Sequence, residues 1–396
     1  MAPPLAEAVG STDPDTTARL TMTPKELVLL GGGHAHMTVL AHLADLQQAG
    51  SRVTVIQPSA HHYYSGMGPG MLGGSYTPEQ IRFPTKRQVE EQGGTFILDR
   101  AVRIDPEAQL IHLQQADRPL GYDLLSCNVG SQVRSDAIRP DNTSLFTVKP
   151  IETLVAARSR ILSQGRERPL SIAVLGGGPS AVEIAGNLWR LGDSGAILPP
   201  TITLISGKHF LARLPSRVRT LALNSLKRRQ ITIRSGHYVQ QVAGRTIILD
   251  NQDTLQADII FSAIGIQPSP LFRDSSLAVG PEGGLRVNRF LQSVDHTNIF
   301  AGGDCIFYQE QPLDKVGVYA VRQNPVLLHN LLASLRGEPL QAFTPGGSYL
   351  LIYNLGDERG IFSKWSLVFG GRLAFALKDW IDRRFMASFQ PSRQDS

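Results

Sequence analysis

Two glycine-rich turns carry most of the chemistry this chain advertises. Gly31, Gly32, Gly33, His34, Ala35 and His36 follow the apolar run 27–30, and Gly176, Gly177, Gly178, Pro179, Ser180 and Ala181 follow the run 172–175. Glycine permits a tight turn and lets backbone N–H groups approach a pyrophosphate, whose charge then sits at a helix N-terminus. One such turn is weak evidence. Two, each opening a helix-like stretch, point to a chain that holds two dinucleotides and passes electrons between them. Glu183 falls early in the helix predicted after the second turn, placed to touch a nicotinamide or a flavin edge. The plain structural alternative is a carboxylate that complements the helix dipole.

The elements needed to position these turns are also visible. A first βαβ unit runs from Leu27 through a helix near 37–49 to a strand at 53–56. The loop 61–74, rich in Gly, Tyr and His, reads as too glycine-laden for core and is expected to cover a ligand or cap a sheet edge. Short alternating strands follow at 94–103, 110–114 and 122–130. A second βαβ unit occupies about 170–206, with more short strands at 231–264. The apolar run that ends at Gly302, Gly303 and Asp304 has no partner of its own, so it is expected to return to the first sheet. The predicted fold class is therefore α/β, with two Rossmann-like dinucleotide-binding domains, the second inserted in the first, and a short C-terminal α+β module. The expected bounds are 25–150 with 288–340 for the first domain, 151–287 for the second and 341–396 for the module. Residues 1–24, with Pro3, Pro4 and Pro14 and no periodicity, are expected to form a disordered leader.

Composition narrows the function. A formal net charge of +5 over 396 residues, without long Lys/Arg runs, argues against a nucleic-acid partner. No stretch reaches the ~18 apolar residues of a membrane span, and no secretory signal is visible, so a cytoplasmic location is expected. The two cysteines, Cys127 and Cys305, lack the close spacing that a thiol-based reductase needs beside its flavin, and both read as small core residues. The acceptor is then a diffusible molecule. His34, His36, His61 and His62 invite a metal, but no carboxylate or cysteine completes a ligand set. The two in the first turn are expected to donate to a pyrophosphate, and no metal is expected.

The run 174–188 resembles the nicotinamide-binding turn of type II NADH dehydrogenases, members of the two-dinucleotide-binding-domain flavoproteins (the pyridine nucleotide-disulfide oxidoreductase superfamily). The strand ends at 128–130, 263–265 and 299–305 fall in that superfamily's order. The stretches 31–36, 64–70, 318–323 and 378–386 are similar to the flavoprotein domain fused ahead of selenophosphate synthetase (selenide, water dikinase) in some organisms. The kinase half has no counterpart in these 396 residues. The resemblance implies FAD at Gly31–His36 and NADH or NADPH at Gly176, Gly178, Pro179, Ser180, Ala181 and Glu183. It implies that Asp304, beside Gly303, accepts a hydrogen bond from the ribityl chain, with Gly130 and Gly265 at the strand ends. It also sets Gln323 near the flavin ring and Val102 near the adenine. Glu183, orienting the nicotinamide and managing a proton, and Gln323 are the implied catalytic residues. A quinone is the implied acceptor, with Arg322 and Gln323 within reach of its carbonyl; for Gln323 a bond to the flavin itself stays equally open.

Three departures matter. His36 stands where a third glycine is usual. No acid follows the second strand of either unit: Gln57, with Ser59 next in reach, takes the ribose position in the first, and Ser206, Gly207 and Lys208 take it in the second. Lys208 and Arg213 favour NADPH over NADH there, because a cation pairs with a 2′-phosphate that an acid would repel. In the stretch 372–386, Leu373, Leu377, Trp380, Ile381 and Phe385 share one helical face, and Lys378, Asp379, Asp382 and Arg383 the other. Such a helix suits a membrane surface, its own domain or the second copy of a homodimer. The expected activity is hydride transfer from NAD(P)H to FAD and on to a quinone-like acceptor. Two alternatives stay open: a flavoprotein of selenium or sulfur metabolism, and a flavin-binding regulatory module without turnover.

Overall fold

The computed structural model describes residues 23–134, 143–208 and 210–390; residues 1–22 of the expected leader lie outside them. Two five-stranded parallel sheets organise the chain. The first runs Ile299–Ala301, Leu124–Cys127, Lys25–Leu30, Ser51–Gln57, Thr95–Leu98. Its central strand is apolar at four successive positions, 27–30, all fully buried, as a strand covered on both faces requires. The run before Asp304 does return to this sheet, with Ile299 opposite Leu125. The second sheet runs Leu145–Thr147, Ile259–Ser262, Ser171–Leu175, Thr201–Ile205, Thr232–Arg234. Two short antiparallel strands, Ser131–Val133 and Ile266–Pro268, pair where the chain passes out of the first unit and back.

Three three-stranded antiparallel sheets are added to these. Ala101–Asp105, Leu110–Leu113 and Leu120–Gly121 form one, and Val239–Ala243, Thr246–Leu249 and Thr254–Gln256 another. The third, Leu351–Asn354, Gly360–Lys364 and Leu367–Gly371, leads into the terminal helix Arg372–Phe389. Tyr353, Leu355, Ile361, Val368 and Met386 of this module share a core with the second sheet and with Met67, Met71 and Leu72.

That last contact corrects the reading of loop 61–74. Its segment Gly68–Leu72 is a short helix with every residue buried. Glycine is there for close packing: a Cβ at Gly70 would lie 2.5 Å from the Tyr76 ring. Residues 67–73 are core and 61–66 half-buried, and the loop joins the first unit to the terminal helix.

Candidate functional site

Each turn leaves its central strand at a glycine packed against a neighbouring backbone carbonyl, where a side chain would force the turn to shift. Gly31 has φ +82°, and a Cβ there would lie 2.4 Å from the Asn128 carbonyl oxygen. Gly176 has φ +134°, and its Cβ would lie 2.3 Å from the carbonyl oxygen of Ala263. In both sheets the turn therefore rides against the end of the neighbouring parallel strand, the crevice where α/β sheets take ligands. Beyond those ends, Gly130 (φ +68°) and Gly265 (φ +111°) carry the chain away from the sheets, and a Cβ on either would meet nothing.

In the first turn the Gly32 N–H donates to Gln57 Oε1 at 2.8 Å and the Ala35 N–H to Asn128 Oδ1 at 3.2 Å. Within the described residues no hydrogen bond uses the N–H of Gly33 or His34, at the start of the helical segment 34–41. Gln57 is buried and its amide donates to the Ser59 and His61 carbonyls, so both ends of the side chain are engaged inside the chain. The expectation that it bonds a ribose is corrected accordingly: it shapes the turn. His36 is corrected too. It is fully buried, with Nδ1 2.6 Å from Gly31 O and Nε2 2.8 Å from Ser126 Oγ, and neither nitrogen is left for a phosphate. Burial pulls its pKa down to about 4, against the Gly31 hydrogen bond.

His34 differs. Its Nδ1 lies 3.2 Å from His62 Nε2, its ring stacks on Phe385 at 5.7 Å, and its Nε2 is enclosed without a partner among the described residues. Burial, then the charge of Lys149, pulls it down to about 4, so it is a neutral imidazole at physiological pH.

Asp304 sits on the turn after Ile299–Ala301. Its Oδ2 accepts from Lys149 Nζ at 2.6 Å and from Ser131 Oγ at 2.9 Å. Burial pushes its pKa up, but the Lys149 charge and these bonds outweigh that and hold it below the usual carboxylate range. Gln323 is buried in the helix Gly317–Arg336, where its Oε1 accepts the Gly303 N–H at 2.7 Å. Arg322 Nη1 donates to the Pro345 and Gly347 carbonyls at 2.5 and 3.0 Å. Val102 is 43% exposed on the strand Ala101–Asp105.

In the second turn, Gly178 is the N-cap and Pro179 the first residue of the helix Pro179–Asp193. The N–H groups of Gly178 and Ser180 make no hydrogen bond within the described residues, Ala181 is buried, and a Cβ on Gly178 would meet open space. Lys208 is exposed just past the strand Thr201–Ile205, in the field of Asp250.

Glu183 does not point into an empty crevice. Its Oε1 accepts the backbone N–H of Asn354 at 2.8 Å, so the C-terminal module closes over it. Burial pushes its pKa up to about 7, against the nearby Lys378 charge and the Asn354 bond and with Asp382. The terminal helix brings that charge inward. Lys378 Nζ donates to Gly66 O at 2.9 Å and Asp382 Oδ2 at 2.7 Å, and the Tyr64 hydroxyl donates to Asp382 Oδ1 at 3.0 Å. Tyr76 donates to Asp379 at 2.8 Å. The predicted division of this helix is thus corrected: Asp382 is buried, while Leu373 and Trp380 are 73% and 58% exposed.

Sequence reasoning missed Asn128, which also donates to Gly302 O at 2.6 Å and so laces the first turn to the Asp304 turn. It missed Lys149 as well. An asparagine closing a buried strand was a readable signal; a lysine so far from its aspartate in sequence was not.

Two parallel sheets in one chain, each ending in a glycine turn with free N–H donors at a helix N-terminus, define a protein built to hold two dinucleotides. The chain belongs to the pyridine nucleotide-disulphide oxidoreductase family, whose model matches residues 25–329. Membership of that family implies FAD and a pyridine nucleotide as cofactors. It is 24% identical over 372 residues to the demethylphylloquinone reductase NdbB of Synechocystis, covering 90% of each chain. It is 26% identical over 318 residues to an external alternative NAD(P)H-ubiquinone oxidoreductase B1 of Arabidopsis thaliana mitochondria, covering 70% of this chain and 55% of that longer one. The structure superposes on that of NDH2 from Plasmodium falciparum in complex with NADH with a TM-score of 0.77 at 14% identity, over 91% of this chain and 96% of that one. The disulphide half of the family name has no counterpart here: Cys127 and Cys305 are free and fully buried, and burial pushes the Cys305 thiol up to about 11.

Glu183 supplies a test that needs no ligand. A carboxyl whose pKa is raised in the folded state binds its proton more tightly folded than unfolded, so it lowers stability as pH climbs from the ordinary carboxylate range to about 7. The effect is up to about 3 kcal/mol. Glu183→Gln keeps an acceptor for Asn354 and abolishes the titration. It should match the parent Tm at pH 5 and exceed it by a few degrees at pH 8. An equal Tm difference at both pH values would mean that Glu183 does not titrate from a buried position.

Proposed function

We propose that this chain is an NAD(P)H:quinone oxidoreductase of the type II NADH dehydrogenase kind, with FAD at the first turn and the nicotinamide dinucleotide at the second. The observation that carries it is the pair of turns with unused N–H donors, at Gly33 and His34 and at Gly178 and Ser180, in a chain whose thiols are buried. When bound, FAD accepts a hydride and gives up its electrons to a second acceptor. The first turn holds the pyrophosphate through its unused backbone N–H groups, with the neutral His34 ring packed beneath it on Phe385. Asn128 and Gln57 hold the turn's shape. Asp304 holds the ribityl chain, and Gln323 fixes Asp304 through the Gly303 N–H. Glu183, with a pKa near neutrality, holds or releases a proton beside the nicotinamide. Lys208 and Arg213 favour NADPH. The substrates in the relatives' names, a demethylphylloquinone and ubiquinone, support a quinone acceptor.

No helix among the described residues is long and apolar enough to cross a membrane. A lipid quinone is reached instead from the surface, through the helix Arg372–Phe389 and its exposed Leu373 and Trp380. The likeness of 31–36, 64–70, 318–323 and 378–386 to the domain fused to selenophosphate synthetase supports the flavin site equally and leaves a small selenium species as the rival acceptor.

The test is the visible spectrum under anaerobic conditions. A flavin band bleached by NADPH faster than by NADH, then restored by a short-chain quinone and not by selenite, is expected. A band that neither nucleotide bleaches would overturn the reading, and recovery with selenite alone would move it to the rival.

A further inference from the structure

The terminal helix borders a second cavity, away from both turns. An open cleft of about 410 Å³ lies between Tyr76, Arg190 of the helix Pro179–Asp193, Glu358, and the stripe Arg372, Ala376, Asp379 and Arg383. Three guanidinium groups face two carboxylates there. Glu358 is shared, 3.9 Å from Arg190 Nη2 and 3.7 Å from Arg372 Nη2, too far to hydrogen-bond either. Arg383 uses its Nε on Asp379 at 2.9 and 3.0 Å and lies 5.4 Å over the Tyr76 ring, which leaves its terminal nitrogens without a hydrogen bond among the described residues. The cleft therefore carries one net positive charge and several unused forked donors, the geometry that suits a phosphodiester.

What adjoins the cleft identifies the source of that phosphate. Helical periodicity places Leu373, Leu377, Trp380 and Arg384 on the stripe next to the one that lines the cleft. Leu373 and Trp380 are exposed, with Arg384 5.6 Å over the Trp380 ring. Leu373 and Trp380, left in water with Arg384 as a basic neighbour one stripe from the cleft, suit the boundary between lipid headgroups and acyl chains.

We propose that the cleft between Arg190, Arg372 and Arg383 binds the phosphodiester headgroup of an anionic phospholipid, while Leu373 and Trp380 enter the acyl boundary beside it. The proposal rests on the peripheral-membrane part of the function above. It adds a dependence on headgroup charge read by named residues.

The experiment is co-sedimentation of the full, flavin-loaded chain with phosphatidylcholine vesicles and with the same vesicles containing phosphatidylglycerol. The parent should bind the anionic vesicles more tightly. Arg372→Gln with Arg383→Gln should lose that preference, by about fivefold per arginine. Arg87→Gln with Arg103→Gln, which removes the same charge from exposed sites elsewhere, should change it less than twofold. Glu358→Gln should strengthen anionic binding, a gain that a damaged fold cannot mimic. Flavin content and turnover with a water-soluble quinone should be unchanged in all of them.

Equal binding to both vesicles, or equal losses in the cleft and control pairs, would overturn the cleft and leave the membrane reading standing. No binding to either vesicle would overturn both. Arginine-dependent binding of glycerol 3-phosphate that displaces no vesicle would assign the cleft to a soluble phosphoester and overturn the lipid.

Discussion

Gly176→Ala should give a folded protein that keeps its FAD and whose flavin NADPH and NADH barely bleach. The turn has nowhere to put a methyl group. A Cβ at 176 would lie 2.3 Å from the Ala263 carbonyl oxygen, and φ of +134° is a region that L side chains rarely adopt. Ala263 cannot yield, because it continues the strand Ile259–Ser262, paired on both sides inside the second sheet. The turn itself must shift, and with it the Gly178 and Ser180 N–H groups. A displacement of about 1 Å in a positioning element costs roughly a hundredfold in rate. Stopped-flow bleaching should fall by about that factor while flavin per chain stays at the parent value.

Gly178→Ala separates the fold from the ligand. A Cβ there meets no atom of the chain within 4 Å, so the variant should melt like the parent. Any loss of nucleotide affinity then reports a pyrophosphate in that space. Parent-like bleaching by Gly176→Ala would show that the nicotinamide does not enter by the second turn.

The sheets were legible because parallel strands covered on both faces must be continuously apolar, and 27–30 and 172–175 are. The insertion was legible for a related reason: the run 299–301 is too apolar to stand alone in water, and it takes the edge of the first sheet beside Leu124–Cys127, with residues 291–293 covering its outer side. What the pattern could not show is which neighbour a polar group finds. Gln57 falls where a ribose-binding acid is usual, yet the Gly32 N–H lies 2.8 Å away and claims it. The period of the terminal helix was read correctly, but its inside was not. Lys378 and Asp382 turn inward because Gly66, Tyr64 and Glu183, all remote in sequence, supply partners there. A buried ion pair with such partners outweighs the apolar face that a hydropathy count favours.

Asp304→Ala should come through purification largely without flavin, and Lys149 shows why the effect is more than one lost hydrogen bond. Of the two carboxylate oxygens, Oδ2 takes both Lys149 and Ser131, and Oδ1 is left with no bond among the described residues for a ribityl hydroxyl. Removing a charged acceptor costs about 1.5–3 kcal/mol, or roughly ten- to a hundredfold in FAD affinity. It also strands the Lys149 ammonium, whose side chain is only 27% exposed, without its counter-ion. Asp304→Asn, which keeps an oxygen at the site, should retain part of the flavin. Lys149→Met should retain more, since it leaves both carboxylate oxygens in place, although burial, now offset only by Ser131 and Lys315, moves the Asp304 pKa upward and FAD affinity should weaken towards acid pH. Flavin per chain, and the Tm gained on adding FAD to stripped protein, rank the three variants. The order Ala below Asn below Met follows if Asp304 touches the cofactor. The reverse order would make the lysine the contact and Asp304 the residue that positions it.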